Sequence, residues 1–541
     1  MDMKRFFTIA LLASAALTAG AQSVGDAYLY SQNQYSGTAR SVGMGNAMTA
    51  VGGDLGSIVF NPAGSAVAGY SQFSITPDVT ISSINAMGTP LSGSTEPYGF
   101  EDRNVTAVTR MSLPNVGATM HIRTGRRSGL KGWTFGFIVQ GTNNFLQEIY
   151  ASGSNYDTSY AGYVASLAEG TQNSEFAAAN VYNSNLPREA IVGYLSDMIS
   201  TYGGYTDRYL GVTEREADGV VSVASGLNQK YGMLRTGTKY DIIMNTGFNF
   251  SDRFFLGFNL GITQMNVTND EYWFEEAMDP SKFAIRFRNQ DGTYTETYFD
   301  NFRFRRSYES DGAGVYAKAG FIAVPFQGLR IGAAVQTPTV VGVHESFAFD
   351  NRTRFTSTDP GYEKSEEENW AYNLKTPLRF NAGLAYTFDK IGLVSADYEL
   401  CDYSGMRVRS TPYYIDDYTD LNGSITGTMG ISHMIRVGGE LRPMPEFAIR
   451  VGYNLTTSPE RDDAGKYIRA NRENVSFGLG FDSPGSFFAD LGFRMHFLPD
   501  DYFLVYPDYI FDASGAVSGY SPEIRSKQGL YDILLTLGWR F

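Results

Sequence analysis

The chain ends on Gly529-Leu530-Tyr531-Asp532-Ile533-Leu534-Leu535-Thr536-Leu537-Gly538-Trp539-Arg540-Phe541. Successive side chains of an extended strand point to opposite sides. Tyr531, Ile533, Leu535, Leu537, Trp539 and Phe541 therefore share one face, and Asp532, Thr536, Gly538 and Arg540 the other. One wall is greasy and finishes on an aromatic; the other accepts charge. A strand with lipid outside and water inside divides in this way, but so does an ordinary half-buried strand. The rest of the chain decides between them.

At the other end, Lys4 and Arg5 precede an apolar run from Phe6 to Leu17, and Ala19-Gly20-Ala21 supplies the small residues a signal peptidase needs. This predicts a secretory signal, residues 1–21, cleaved after Ala21. The run is short for a membrane-spanning helix, and no Cys follows the cleavage site to carry a lipid anchor. Cys401 is the sole cysteine, so no intramolecular disulfide can form. On the polar face beside Asp402, it reads as an inert lumen thiol.

Hydrophobic residues make up 43% of the chain and aromatics 14%, yet the mean hydropathy is -0.22. No later stretch approaches the apolar length of a membrane helix, which excludes helical spans. The 37 Phe, 36 Tyr and 59 Gly suit a barrel with aromatic girdles at its interfaces and strands that bend at glycines. A net charge of -14 argues against a nucleic-acid partner, which selects a basic surface.

The alternation of the last strand recurs along the chain. Leu256, Phe258, Leu260 and Ile262 oppose Gly257, Asn259, Gly261 and Thr263; Phe447, Ile449, Val451, Tyr453 and Leu455 oppose Ala448, Arg450, Gly452 and Asn454. There are about 14 such segments, an even number as in bacterial single-chain barrels: 71–82, 105–123, 132–147, 237–250, 254–268, 313–324, 329–342, 376–388, 391–405, 432–442, 446–458, 472–482, 486–498 and 529–541. Their connections alternate in length. Short turns at Gly125–Lys131, Ser251–Arg253, Pro325–Gly328, Asp389–Lys390, Pro443–Pro445 and Ser483–Gly485 alternate with long excursions at 83–104, 148–236, 269–312, 343–375, 406–431, 459–471 and 499–528. Short turns on the periplasmic side and long loops outside are the barrel pattern. The fold class is therefore all-β, a transmembrane antiparallel barrel occupying 69–541.

The excursion 148–236 is long enough to need structure of its own. Pro187 at a first helical position, with Leu186, Ala190, Ile191, Tyr194, Leu195, Met198 and Ile199 on one side, predicts an amphipathic helix. It either packs on neighbouring loops or offers a greasy landing surface. Inside the barrel, the alternation places Lys318, Arg330, Arg379, Arg436, Arg450, Arg494 and Arg540 against Asp241, Asp397, Glu399, Glu440, Asp490 and Asp532. Mixed signs suit a cross-linked lumen better than a wide ion-selective pore.

Nothing calls for a catalyst, metal or cofactor. His121, His344, His433 and His496 are the only histidines, and no two have metal-ligand spacing. His496 reads as a hydrogen-bonding lumen residue. His344-Glu345, at the start of an excursion, would form a catalytic pair only if another strand supplied a nucleophile.

Between signal and first strand, 22–68 fits neither class. It holds Ala39-Arg40-Ser41-Val42-Gly43-Met44-Gly45-Asn46-Ala47, then Val51-Gly52-Gly53-Asp54, then Ile58-Val59-Phe60-Asn61-Pro62-Ala63-Gly64. As a phosphate loop it fails, because Met48 stands where a third glycine belongs and no strand precedes it. Glycines allow tight turns in a cramped plug, Pro62 fixes a bend without an unsatisfied N–H, and Asn61 can bond local backbone there. The segment is equally a turn into the first strand or a gate.

The Gly-x-Gly run, the acidic residue after a second small-residue stretch, and Asn61-Pro62-Ala63 before the first strand resemble the FadL/TodX/OmpP1 family of outer-membrane channels for hydrophobic compounds. Pro77-Asp78-Val79, Leu113-Pro114-Asn115 and Ser458-Pro459 are further echoes. The resemblance implies a 14-stranded barrel plugged by an N-terminal hatch, with Gly43, Gly45, Asp54, Asn61, Pro62 and Ala63 in hatch or gating positions. It implies passive uptake of hydrophobic small molecules, such as long-chain fatty acids, across a Gram-negative outer membrane. Sideways exit near the third strand is also implied, with Gly136 and Gly141 as candidates for the opening, and ordinary curvature as the other reading of both. Partners would be the hydrophobic ligand and outer-membrane lipid. The alternative is a similar barrel serving a protein secretion machine, with a surface or secretion-system protein as partner. Aromatic-hydrocarbon or haem uptake uses the same scaffold, but no haem-ligand constellation is present. The loop sequences do not follow the family.

Overall fold

The computed structural model describes residues 23–541 except 92–96, 218–219, 289–290, 292, 463 and 512–516, so the expected signal segment lies outside the described residues. Fourteen antiparallel strands close into a barrel. They are β1 (Gln72–Gly88), β2 (Asn104–Arg123), β3 (Leu130–Asn144, continued by Gln147–Asn155), β4 (Leu227–Phe250), β5 (Phe254–Ala277) and β6 (Tyr294–Ala323). Then follow β7 (Leu329–Gln336, continued by Val340–Phe355), β8 (Arg379–Phe388, preceded by Glu368–Lys375), β9 (Gly392–Asp402), β10 (Ile431–Met444), β11 (Phe447–Thr456), β12 (Arg472–Asp482), β13 (Phe487–Phe497) and β14 (Glu523–Arg540). β14 closes on β1 in one register from Gln72↔Arg540 to Gly88↔Ile524, and Ser71 and Phe541 exchange backbone N–H···O bonds of 3.0 Å.

Across the belt, the outward residues are the apolar ones of the alternation: Phe258, Leu260, Ile449 and Val451 are exposed while Asn259, Gly261, Ala448 and Arg450 are buried. Towards the short turns, outward aromatics meet in pairs, among them Phe73–Trp539 (6.2 Å), Phe254–Phe321 (6.0 Å), Phe447–Phe481 (5.4 Å) and Trp133–Phe248 (5.9 Å). This is the girdle a bilayer interface selects. Leu260→Arg should cost about 2–4 kcal/mol at mid-bilayer, measured by denaturant titration in lipid; a neutral result would mean that Leu260 does not face lipid.

The strands run much farther outward than the alternation predicts. Segments expected within the excursions 148–236, 269–312 and 343–375 are instead paired, with β5 and β6 in register from Phe254↔Ala323 up to Glu276↔Asn301. The physical reason is an inversion of polarity. Above the belt the outer face meets water, and Arg303, Arg305, Arg352 and Arg354 point out. The inner face packs on structure, burying Phe302, Phe304, Phe347 and Phe349.

That structure is a cap. The helix Tyr160–Ala168 stacks Tyr160 on Trp273 at 4.5 Å and beside Phe304 at 5.2 Å. Its first turn is capped by the buried Glu275, which accepts from Tyr160 N at 2.6 Å and Ser159 Oγ at 2.5 Å. The helix predicted after Pro187 is Arg188–Leu195; Ala190, Ile191 and Val192 are buried in the same core, together with Met198 and Ile199 beyond its end. The packing alternative therefore describes it, and the landing surface does not.

Within the cap, Glu214 accepts from Gly211 N and Tyr509 Oη, both at 3.0 Å, and burial pushes its carboxyl from the ordinary 4.5 up to about 7. Between those values the folded cap holds a proton that the unfolded segment has released, so its stability is highest below the window and falls as pH rises through it. The protection factors of the two cap helices, which take out the base-catalysed rise of intrinsic amide exchange with pH, should be higher at pH 5 than at pH 8, and Glu214→Gln should reduce the difference. Equal protection factors at both pH values in the unaltered protein would refute this.

Candidate functional site

The segment 23–68 lies inside the barrel and is fastened to its wall. Lumen cations cap its carbonyls: Lys239 Nζ donates to Tyr30 O at 2.7 Å, Arg379 to Ser31 O at 2.6 Å, Arg494 to Tyr35 O at 2.8 Å and Lys318 Nζ to Val59 O at 2.6 Å. Many lumen charges also pair with one another, as the mixed signs predict, while Arg330, Asp241 and Asp397 bond only neutral groups. Arg379 and Arg436 share Glu399 (3.0 and 2.9 Å), Arg450 bridges Glu440 and Asp490 (2.7 and 2.6 Å), and Arg494 meets Asp532 at 2.6 Å. Arg40 of the plug joins this network on Glu440 at 2.9 Å. His496 bonds Asp532 at 2.9 Å, and Cys401 is buried. Charges this deep are tolerated because each has hydrogen-bonded partners.

The residues singled out before the first strand all sit in this plug. Gly45 has φ +62°, and a β-carbon there would stand 2.8 Å from Tyr453 N; one on Gly43 would stand 3.0 Å from Gly478 Cα. Asp54 accepts from Thr38 Oγ1 at 2.7 Å and Gly56 N at 2.8 Å, tying two turns together. Asn61 Nδ2 donates to Thr49 O and to Phe321 O on the wall, both at 2.8 Å, while its Oδ1 accepts from Ala63 N at 3.1 Å. Pro62 O accepts from Asn245 at 3.0 Å. Gly43 and Gly45 therefore lie against β11 and β12, and Asn61–Ala63 against β4–β6.

The wall contributes a feature that the sequence reading took for strand bending. Lumen-facing glycines form a socket in which plug backbone rests on wall backbone. A β-carbon on Gly257 would strike Pro62, on Gly332 Thr49, on Gly438 Met44 and on Gly452 Gly45. Gly257 stands opposite Gly320, and Gly438 opposite Gly452. The available signal was glycines recurring at lumen positions of neighbouring strands, where no lipid-facing alternation would require them.

One stretch of wall is incomplete. The β2–β3 ladder stops at Asn115↔Gln140, and above it β2 is paired only with β1 as far as Asn104↔Ala86. Two irregularities meet here. The β1–β2 register shifts between Thr76 and Asp78, around Pro77 and opposite Pro114, which has no N–H to give. The β3–β4 register shifts between Gly141 and Asn143, leaving Thr142 as the extra residue. The plug meets this break directly, Gln34 N donating to Thr142 O at 2.6 Å and Ser36 N to Gly141 O at 3.3 Å. Arg110 crosses it to Gly237 O at 2.8 Å, and Thr106 Oγ1 closes its top on Glu148 O at 2.5 Å. Gly141 thus borders the break, whereas Gly136 lies in regular ladders opposite Thr119 and Asn245. At the start of the plug, Val24 and Tyr30 join Phe145, Met265, Val341 and Tyr372 of the wall in an apolar cluster.

His344 and Glu345 lie within a strand rather than at the start of a loop, one exposed outward and the other buried inward, so they form no pair on a common face. Among the described residues, no group of three or more His, Cys, Asp or Glu side chains could hold a metal ion.

No protein-family model and no curated protein matches the chain. Among solved structures it aligns with a Pseudomonas aeruginosa FadL homologue at 12% identity and TM-score 0.49, over 94% of this chain and 99% of that one. It also aligns with the Ralstonia pickettii toluene transporter TbuX at 12% identity and TM-score 0.47, over 93% and 98%. For the Pseudomonas putida toluene transporter TodX the values are 10% and 0.48, over 94% and 99%. A likeness of this degree says nothing of cargo. What the chain's own register, girdle and lumen bonds establish is a closed, 14-stranded membrane β-barrel plugged by its own N-terminal segment.

Proposed function

We propose that the protein is an outer-membrane channel for passive uptake of hydrophobic small molecules, with long-chain fatty acids or compounds of similar character as cargo. The observation that carries this reading is the break between β2 and β3, because it joins three things. It interrupts the backbone pairing of the wall, has Phe145 of the apolar cluster beside it, and is edged by carbonyls of Gly141 and Thr142 to which the plug is bonded. A greasy solute on this route leaves sideways without crossing the charged layer below, where moving it past Arg379, Glu399 and Arg436 would desolvate buried ions. Cargo that displaces the plug near Gln34 and Ser36 would bias the state of the break, which is how occupancy could be coupled to exit.

Deleting Thr142 tests this. Removal of the extra residue lets β3 and β4 run in one register from Gly132 upward, with the flanking side chains kept on their faces, and draws β3 towards β2. Entry of a fluorescent fatty acid into proteoliposomes should fall at least about tenfold, a loss of about 1.4 kcal/mol or more in transition-state terms, while heat-modifiable migration on detergent gels stays unchanged. Undiminished entry through a folded variant would overturn the lateral route. The alternative, a barrel serving a secretion machine, draws support from the cap with its own apolar core; capture of a surface protein by a chain that passes no hydrophobe would favour it.

A further inference from the structure

The tall outer wall carries a band that the uptake reading does not use. Outward residues of neighbouring strands fall into rows set by the register. Lys230, Phe274, Arg303, Arg352 and Tyr362 form one row, and Tyr272, Arg305, Asp350 and Lys364 the next. The cations lie over rings: Arg303 is 4.6 Å from the Tyr272 centroid, Arg352 5.3 Å from Tyr362 and Lys230 4.9 Å from Phe274. Stacking holds a guanidinium in place and leaves its N–H edge free for an oxyanion. Arg305 has Asp350 at 3.9 Å. Among the described residues, Lys230, Arg303, Arg352 and Arg354 have no carboxylate within ion-pair distance. In a chain of net charge -14, this face is locally inverted in sign.

Its height identifies what it faces. On β6 the outward residues change from Val315 and Ala313 to Asp311 and Glu309, and then to Arg305 and Arg303. At roughly 3.3 Å per residue and a strand tilt of roughly 40°, Arg305 stands roughly 20 Å above the last apolar residue. That is beyond the lipid headgroups, where the acidic Asp311 and Glu309 lie, and level with any saccharide that outer-leaflet lipids carry. Sugars offer apolar ring faces to aromatics, and their phosphates or carboxylates match the arginine fork.

We propose that this band binds the acidic saccharide chain of the glycolipid surrounding the barrel, with phosphate or carboxylate on Arg303 and Arg352 and a sugar face against the exposed Tyr362. This rests on placement in an outer membrane but not on transport. The probe is a deacylated, phosphorylated lipopolysaccharide oligosaccharide, titrated calorimetrically into the intact protein in detergent. Binding should weaken with added salt, fall at least about tenfold in the double variant Arg303→Glu, Arg352→Glu, and fall similarly for the dephosphorylated oligosaccharide. Heat-modifiable migration should be unaltered. If charge reversal prevents folding, Arg303→Gln with Arg352→Gln serves, with a smaller loss in the same direction. Equal affinity of folded variant and unaltered protein, or binding only of the acylated glycolipid, would overturn the proposal. Failed hydrophobe uptake would leave it standing.

Discussion

Deleting Gly43 to Gly64 should turn a closed barrel into an open one: planar bilayers containing the shortened chain should carry steady ionic current, and those containing the full chain should not. The deletion removes Asp54, Asn61 and the bend at Pro62 together with the segment resting on Gly332, Gly438 and Gly452. What remains of the wall is still paired around its circumference, since no barrel ladder depends on the plug. The cost falls on the lumen. Lys318 loses Val59 O, the segment that seats Arg40 on Glu440 is cut short, and Thr49 N is removed from Asp397; water that enters the vacated space can solvate each. A folded, deleted barrel as silent as the full chain would place the obstruction elsewhere.

A single β-branched side chain in the socket should do much of the same. Gly452→Val directs its β-carbon at the Met44–Gly45 backbone, which cannot yield as a flexible side chain would. Gly45 already occupies φ +62° with Tyr453 N close by, so the plug has little freedom to adjust there. Close-packed interiors tolerate such insertion at a cost of about 1–3 kcal/mol, here set against the bonds seating the plug rather than the barrel. Recordings should show bursts of conductance, and protease added from the short-turn side should cut within 39–66. The control is Gly439, on the opposite face of β10 from Gly438, where the nearest atoms to an added β-carbon stand at an ordinary 3.9 Å. Gly439→Val should be silent in both assays. Matching behaviour of the two valine variants would refute the socket.

How far the sequence disclosed this arrangement depended on what each strand faces. Where lipid lies outside, Leu256–Ile262 and Phe447–Leu455 announce their strands and even their register, because one environment selects one face. The outer halves of β4–β7 obey the same period with reversed polarity, so Phe302, Arg303, Phe304 and Arg305 resemble a loop to a search for greasy outward residues. Leu534, an apolar residue on the polar face of the closing strand, packs on Ala39 and Val42 of the plug; only knowledge of a plugged lumen explains it. The small-residue runs and Asn61-Pro62-Ala63 could be found because a cramped plug demands them. Thr142 could not: a bulge is fixed by pairing with two neighbours, and the residue left over carries no mark of its own.

The most direct measurement follows hydrophobe entry and ionic current together in the same reconstituted bilayers containing the intact protein. A plugged barrel with a lateral break predicts saturable entry of the fluorescent fatty acid with the ionic current at baseline. Entry that appears only when current flows would mean that cargo and ions share an open lumen, and no entry at all would deny the channel; either result would contradict the account.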